Sequence, residues 1–305
     1  MDRQLRSKFR SRQRSLLLLV LLLGALLVPA SGVSAAPAWA PADTAPIHPG
    51  VEVVTGPGAC TSNFIFYDDK NVYIGQAAHC STTGTATDFN GCTAPSLPLG
   101  TPVQVGGATE PGTLVYNSWV TMQEKGETDE AICTFNDLAL VRLDPADAGK
   151  VNPSLPHWGG PTGLNITGSP VNQSMYSYGN SPLRFGLELL SPKIGFSQGD
   201  RGAGWSHTAL LVTPGIPGDS GRAFLDHNGK ALGVLSTVEI GLPGGVTNGI
   251  GDIARQLDYM RRNVPELSGV QLAHGTEPFN ANQPPIGPLP LVQGLLEGLL
   301  KQLGL

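Results

Sequence analysis

The tetrapeptide Gly218-Asp219-Ser220-Gly221 sets a serine between glycines and predicts a nucleophile held in a tight turn. A serine attacks a carbonyl only when a base takes its proton, and the attacked oxygen then needs hydrogen-bond donors. Gly218 allows a sharp turn that aims an N–H group at that oxygen, and Gly221 leaves room beside the serine. Turns of glycine, Asp and Ser are common in loops as well. The tetrapeptide therefore needs partners elsewhere in the chain.

One histidine and one aspartate are well placed to serve such a serine. Of the six histidines, His79 follows a predicted apolar strand and lies among small residues that leave an imidazole accessible. Histidine suits the role of base because its pKa lies near 7. The base needs a carboxylate to hold its tautomer, and Asp137 stands at the start of a buried strand, where an unpaired charge is costly. Three other acidic residues remain alternatives for that carboxylate: Asp129, Glu130 and Asp144.

The composition favours a turn-rich β protein. The chain has 305 residues, with 40 Gly, 26 Pro and only 14% charged residues. An Asn228-Gly229 turn between β-prone runs predicts a hairpin, and residues 250–260 predict one helix with Asp252 as its cap. Strands are predicted at 64–67, 72–75, 113–116, 138–143, 175–178, 222–225 and 231–237.

Residues 1–36 are typical of an export signal. Six basic residues precede the apolar run 16–28, and small residues follow it. That run is shorter than the ~20 residues of a spanning helix, although an uncleaved anchor remains the alternative. The segment holds six basic residues and one acidic residue, so its removal changes the formal charge from −5 to −10. Such an acidic chain argues against nucleic acid or an anionic membrane as partner.

Three further segments are distinguished by composition. Residues 37–50 are rich in Pro and Ala and predict an extended leader, and the Pro-rich residues 266–290 predict a linker. Residues 291–305 predict an amphipathic helix too short to span a bilayer. We expect this helix to dock on the protein body or on another copy, with a contact to the cell envelope or a partner as the alternative.

The four cysteines all follow the predicted signal. An even number in an exported chain suggests two disulfides, and four cysteines allow three pairings. The sequence contains neither C-x-x-C nor H-E-x-x-H. We therefore predict no metal site and no cofactor.

Three blocks together resemble the signature motifs of the chymotrypsin/trypsin-like serine endopeptidases, the bacterial exported members above all. The blocks are Ala77-Ala78-His79-Cys80, Asp137-Leu138-Ala139-Leu140 and Gly218-Asp219-Ser220-Gly221, in that family's order. The resemblance covers residues 51–265. It implies an all-β fold of two packed six-stranded antiparallel barrels with a C-terminal helix and the site in the cleft between the barrels.

The resemblance also implies roles for individual residues. Ser220 resembles the nucleophile, His79 the general base and Asp137 the acid that orients it. The backbone N–H groups of Gly218 and Ser220 resemble the oxyanion hole. A disulfide between Cys60 and Cys80 is implied, which would brace the histidine loop, and with it one between Cys92 and Cys133.

The substrate pocket departs from the trypsin pattern. By the resemblance, Pro214 stands at the position that forms the base of the specificity pocket in the family. Proline carries no charge, so a preference for Lys or Arg is not expected. Ser236-Thr237-Val238 resembles the segment that forms the pocket wall in the family. Val238 stands where that family usually has a glycine, and its side chain would narrow the pocket. These residues suggest a preference for small or medium apolar side chains.

The sequence thus predicts a secreted or envelope-associated serine endopeptidase that acts on polypeptides through an acyl-enzyme. The alternative is a catalytically silent relative that serves as a secreted binding module. A third hypothesis is an α/β-hydrolase esterase. That fold requires G-x-S-x-G on a strand-to-helix turn and the chain order Ser, Asp, His, whereas here a predicted β-hairpin follows the serine.

Overall fold

The computed structural model describes residues 36–84, 90–184, 187–212, 215–241 and 245–284. Three α-helices are present there: α1 (Ser118–Lys125), α2 (Glu130–Phe135) and α3 (Ile253–Asn263). Strands make up most of the regular structure. They are β1 (Glu52–Thr55), β2 (Gly58–Thr61), β3 (Ile65–Tyr67), β4 (Val72–Gln76), β5 (Pro102–Val105), β6 (Gly112–Asn117), β7 (Ala139–Arg142), β8 (Ser174–Tyr178), β9 (Pro192–Arg201), β10 (Ser206–Leu211), β11 (Ala223–Leu225), β12 (Ala231–Gly241), β13 (Gly245–Asp252) and β14 (Gln271–Leu272).

The first half of the fold is an antiparallel sheet of eight strands. Their order is β14-β3-β4-β7-β6-β5-β1-β2. Strands β3 and β4 are buried along their whole length, as expected for short apolar runs at the centre of a sheet. The sheet differs from the six-stranded barrel that the resemblance implies. The short strand β14 extends it at one edge by pairing with β3, a contact between distant residues that no local pattern encodes.

The second half is a closed antiparallel barrel of six strands in the order β10-β13-β12-β11-β8-β9. The predicted hairpin joins β11 to β12 through Asn228-Gly229. Apolar residues of these strands fill the interior, and they are Met175, Ala209, Leu211, Phe224, Leu232, Leu235 and Ile250. The all-β, two-barrel prediction is confirmed, with the first barrel as a curled eight-stranded sheet.

Helix α3 follows β13 directly and confirms the predicted helix. Asp252 caps it by accepting a hydrogen bond from the N–H of Arg255, 2.8 Å away. Leu257 and Met260 are fully buried, as their spacing predicts. Ile250, which the same spacing assigned to the helix, lies in β13 instead, because the helix begins only at Ile253.

Both predicted terminal segments contain residues packed against this body. Ile47, in the Pro/Ala-rich segment 37–50, is fully buried and bridges to Val151. Phe279, in the Pro-rich segment 266–290, stacks edge-on with Tyr176 at 5.2 Å between ring centroids. The predicted signal at 1–36, apart from Ala36, and the predicted helix at 291–305 lie outside the described residues. Within the described ranges, no helix is long and apolar enough to cross a bilayer.

Candidate active site

His79 and Asp137 are brought together by two neighbouring strands. The chain leaves β4 into a 3₁₀ turn, Ala78–Ser81, that carries His79. Asp137 stands just ahead of β7, and β7 pairs with β4 so that Ala139 lies opposite Gln76. The register therefore sets the histidine and the aspartate at the same end of adjacent strands.

The contact between the two side chains is close and well oriented. Nδ1 of His79 lies 2.7 Å from Oδ2 of Asp137, and the backbone N–H of His79 donates to Oδ1 at 2.9 Å. An ionised carboxylate only accepts hydrogen bonds, so the proton of the neutral ring lies on Nδ1. Nε2 has no hydrogen-bond partner among the described residues and is free to accept a proton. The side chain of His79 is 18% exposed and that of Asp137 only 3%.

Burial and charge act in opposite directions on the basicity of His79. Burial alone lowers the pKa of the imidazole because it disfavours the charged form. The negative charge of Asp137 and its hydrogen bond outweigh that effect and raise the pKa of His79 above its ordinary value. The ring is therefore a stronger base than a free histidine.

Ser236 contributes a third hydrogen bond to the same carboxylate. Its hydroxyl donates to Oδ2 of Asp137 at 2.5 Å. The sequence assigned Ser236 to a strand and to the wall of the substrate pocket, but its contact with Asp137 was not foreseen. Of the other two predicted pocket residues, Val238 is 46% exposed, and Pro214 lies outside the described residues.

The three alternative acids lie in other environments. Asp129 caps α2, which begins at Glu130. Asp144 accepts a hydrogen bond from the N–H of Ala146 in a surface turn. Among the described residues, only Asp137 makes an ion pair or hydrogen bond with the ring of His79.

The turn that carries Ser220 packs against the histidine segment. Gly218 and Gly221 have φ values of 92° and 86°, which L side chains rarely adopt. A Cβ on Gly221 would lie 2.9 Å from the backbone nitrogen of Ala77, two residues before His79. The N–H of Thr61 donates to the carbonyl of Ser220 at 2.9 Å. The turn that carries Ser220 therefore packs against the segment that carries His79.

The backbone N–H groups around Ser220 alternate in their hydrogen bonding. Those of Asp219 and Gly221 donate to Ile216 and Leu235 at 2.9 and 2.8 Å. Those of Gly218 and Ser220 donate to no acceptor in the described part of the chain. These two unused donors are the ones that the resemblance assigns to an oxyanion hole.

The side chain of Asp219 links the serine turn to neighbouring residues, and these partners were not predicted from the sequence. The carboxylate is fully buried and forms ion pairs with Arg184 and, at 3.1 Å, with Arg222. It also accepts from the backbone N–H of Ile216 at 3.2 Å. Arg222 directly follows Gly221, and a cation so close in sequence to Asp219 was the signal that could have indicated this ion pair.

Two disulfides join the pairs that the resemblance implies. Cys60 is bonded to Cys80, beside His79, and Cys92 is bonded to Cys133, ahead of Asp137. The possible ligand atoms of Cys60, His79 and Cys80 lie within 4.8 Å of one another. The two sulfurs are bonded to each other, however, and a metal would require thiolates.

Comparison with known proteins gives similarity to solved structures alone. No protein-family model and no curated protein matches the chain. Protease A of Thermobifida fusca is 18% identical, with 75% of this chain and 99% of that chain covered and a TM-score of 0.48. A Nocardiopsis protease is 17% identical over 74% and 98%, with a TM-score of 0.45. A Cellulomonas bogoriensis chymotrypsin is 17% identical over 74% and 98%, with a TM-score of 0.43. By its three motifs and its two β-barrels, the chain resembles the bacterial chymotrypsin-like serine proteases.

Proposed function

We propose that this protein is a serine endopeptidase that hydrolyses peptide bonds through an acyl-enzyme intermediate. One observation carries the proposal. His79 is hydrogen-bonded to a buried carboxylate, its Nε2 is open, and its segment packs against the turn of Ser220. This arrangement supports the roles of base for His79, orienting acid for Asp137 and nucleophile for Ser220.

In the first step, Oγ of Ser220 attacks the carbonyl carbon of the substrate and its proton passes to Nε2 of His79. The carbonyl π electrons move to oxygen, which gives a tetrahedral oxyanion. The N–H groups of Gly218 and Ser220 supply two donors for this charge without reorganisation, because neither donates a hydrogen bond to any described residue. Asp137 stabilises the imidazolium formed at the same time.

Collapse of the tetrahedral intermediate breaks the C–N bond. The leaving amine takes the proton from Nε2 of His79, and the acyl group remains as an ester on Ser220. A water molecule then attacks the ester carbon while His79 again accepts a proton. That proton returns to Oγ of Ser220 when the carboxylic acid leaves, so the enzyme is restored.

We further propose that the protein acts outside the cytosol, either secreted or bound to the cell envelope. Two disulfides support this location, because such bonds persist in oxidising compartments. Residues 1–36 would serve as the signal peptide, and the substrate would be a polypeptide rather than nucleic acid. The helix predicted at 291–305 would contact the body, a second copy or the envelope.

Labelling with a fluorophosphonate tests the proposal directly. This reagent reacts with a serine that is activated by a neighbouring base. We expect the mature protein to be labelled and the Ser220→Ala variant to be unlabelled, with matching circular dichroism spectra. Casein hydrolysis should follow the same pattern. Labelling that persists in Ser220→Ala would place the reactive group elsewhere, and a folded mature protein that takes no label would instead support a secreted binding module.

A further inference from the structure

An uncovered apolar surface lies on the outside of the closed barrel, on β9 and β10. Ala209 and Leu211 of β10 face the barrel interior. Side chains alternate between the two faces of a strand, so Leu210 and its register partner Phe196 on β9 face outward. Phe196 is 42% exposed and Leu210 is 38% exposed. Two large apolar side chains are therefore open to solvent side by side.

Two more apolar residues extend this surface along β9. Ile194, two residues before Phe196, lies on the same outer face and is half-buried. At the other end, a Cβ on Gly199 would be 3.3 Å from Cγ2 of Val171, a residue that is 58% exposed. We call Val171, Ile194, Phe196 and Leu210 the barrel patch. Exposed apolar residues that cluster, unlike single ones, mark an interaction surface.

The C-terminal part of the chain already covers the neighbouring strand on this side of the barrel. Tyr176 of β8 lies opposite Ile194 in the register, so the two side chains share the outer face. Trp158 and Phe279 pack edge-on against Tyr176, at 4.9 and 5.2 Å between ring centroids, and leave it only 6% exposed. The C-terminal segment therefore lies one strand away from the barrel patch.

The chain beyond the described residues starts close to this place. The N–H of Asn280 donates to the carbonyl of Trp158 at 2.8 Å, and the described chain ends four residues later at Pro284. Residues 285–290 then span up to about 20 Å when extended, whereas adjacent strands are only about 5 Å apart. A helix that begins at residue 291 can therefore reach the barrel patch.

The predicted helix has the face that such a surface requires. Its six apolar residues on one side are Val292, Leu295, Leu296, Leu299, Leu300 and Leu303. From first to last they span about 17 Å along a helix axis, which is about the length that β9 covers between Ile194 and Gly199. Three glycines weaken the helix by itself, and they are Gly294, Gly298 and Gly304. The helix therefore needs an apolar surface to form on.

We propose that residues 291–305 dock as a helix on the barrel patch, with their apolar face against Phe196 and Leu210. This inference is independent of the peptidase proposal and gives the segment its binding surface. The chain's own C-terminus is favoured over a second copy, because a tethered segment binds at an effective concentration on the order of millimolar. In addition, Phe279 of the preceding segment already lies one strand away.

Photo-crosslinking from the barrel patch tests this contact. The variant Phe196→p-benzoylphenylalanine is made in the full chain together with Ser220→Ala, which prevents self-digestion. We expect irradiation to join position 196 to a peptide from residues 291–305 of the same chain, mapped by mass spectrometry of the monomer. The same replacement at Leu99, which is also 42% exposed but precedes β5 of the first sheet, is the matched control and should give no such cross-link.

Charges placed on the helix test which of its faces makes the contact. Leu296→Asp together with Leu299→Asp should abolish the cross-link, whereas Lys301→Asp, which makes the same change in charge on the polar face, should keep it. A cross-link to a second chain instead, or none to residues 291–305, overturns the proposal. Leu210→p-benzoylphenylalanine repeats the test if the variant at position 196 does not fold. No readout depends on catalysis, so the peptidase proposal is decided separately by fluorophosphonate labelling.

Discussion

Asp137 fixes the orientation of the His79 ring and raises the pKa of its imidazole. Its carboxylate accepts three hydrogen bonds, two from His79 and one from Ser236. These bonds hold a nearly buried charge in one orientation, so the imidazole is fixed in the tautomer that leaves Nε2 open. The orientation and the raised pKa of the imidazole share this single cause.

Replacing Asp137 by Asn should preserve the shape of the site and remove its charge. The amide favours the wrong tautomer of His79, and kcat should fall about 10⁴-fold. Imidazolium cannot accept a proton, so wild-type activity should fall as the pH drops through the pKa of His79. That pKa lies above the ordinary value because of Asp137, and the acid limb of the variant should therefore move to lower pH. Profiles of kcat/KM between pH 4 and 9 measure both effects.

The control for this variant is Asp144→Asn, which changes a carboxylate that caps a surface turn. We expect its rate and pH profile to match those of the wild type. A wild-type profile that stays flat down to pH 4 would contradict the role of His79 as a base.

At the scale of elements, the barrel builds a second cluster of histidine and carboxylates that the sequence analysis missed. His207 on β10 is fully buried, with Nδ1 2.7 Å from Asp200 and Nε2 2.9 Å from Asp252. Asp200 lies opposite His207 on β9, and Asp252 ends β13 on the other side. The pairing of three strands, rather than any local motif, assembles this contact.

His207 should make the stability of the fold depend on pH. Burial alone lowers its pKa, but the hydrogen bonds and charges of Asp252 and Asp200 raise it above the ordinary value. A histidine with a raised pKa in the folded state stabilises fully below its unfolded pKa of ~6.5, and this contribution is lost as the pH rises through the folded pKa. Urea unfolding of wild type and His207→Gln between pH 5 and 9 should give a difference in unfolding free energy that shrinks with rising pH.

The exposed His227→Gln serves as the control and should leave the unfolding free energy unchanged across this range. His79 also has a raised pKa, but it is present in every variant and cancels in the difference. A difference that is the same at pH 5 and pH 9 would show that His207 is not charged in the folded protein.

At the scale of the whole molecule, segments from both ends of the described chain meet on the body. Asn152 joins them, since its Nδ2 donates to the carbonyl of Ala40 at 2.6 Å and to Oγ1 of Thr276 at 2.8 Å. The N–H of Ala40 donates to Val151 at 2.9 Å. By composition the first segment resembles a leader and the second a linker. In the structure, residues of both segments form hydrogen bonds with the body.

Ile47→Ala tests whether the leader segment stabilises the body. Ile47 is fully buried, and truncation of such a side chain typically lowers the unfolding free energy by about 2–5 kcal/mol. We expect a clear decrease in the denaturation midpoint. Val212→Ala, a change at a side chain that is 68% exposed, should alter the free energy by less than about 0.5 kcal/mol. An unchanged midpoint for Ile47→Ala would mean that the segment is dispensable.

Local signals allowed prediction of much of the fold. The hairpin at Asn228-Gly229 and the Asp252 cap of α3 follow from residues adjacent in the chain. Helices α1 and α2 were missed because they are short and weakly periodic, although Asn117 and Asp129 cap them with side-chain acceptors. Caps of this kind were the signal that could have revealed both helices.

The sequence by itself determined seven of the fourteen described strands, the turn chemistry and the order of the histidine, aspartate and serine motifs, because each depends on residues close together in the chain. Only the tertiary structure decided that Ser236 would support Asp137, that two arginines would pair with Asp219 and that β14 would extend the first sheet. The physical reason is that buried charges and sheet edges take their partners from whatever the folded chain brings near, and that pairing spans up to about 200 residues here, as between β3 and β14.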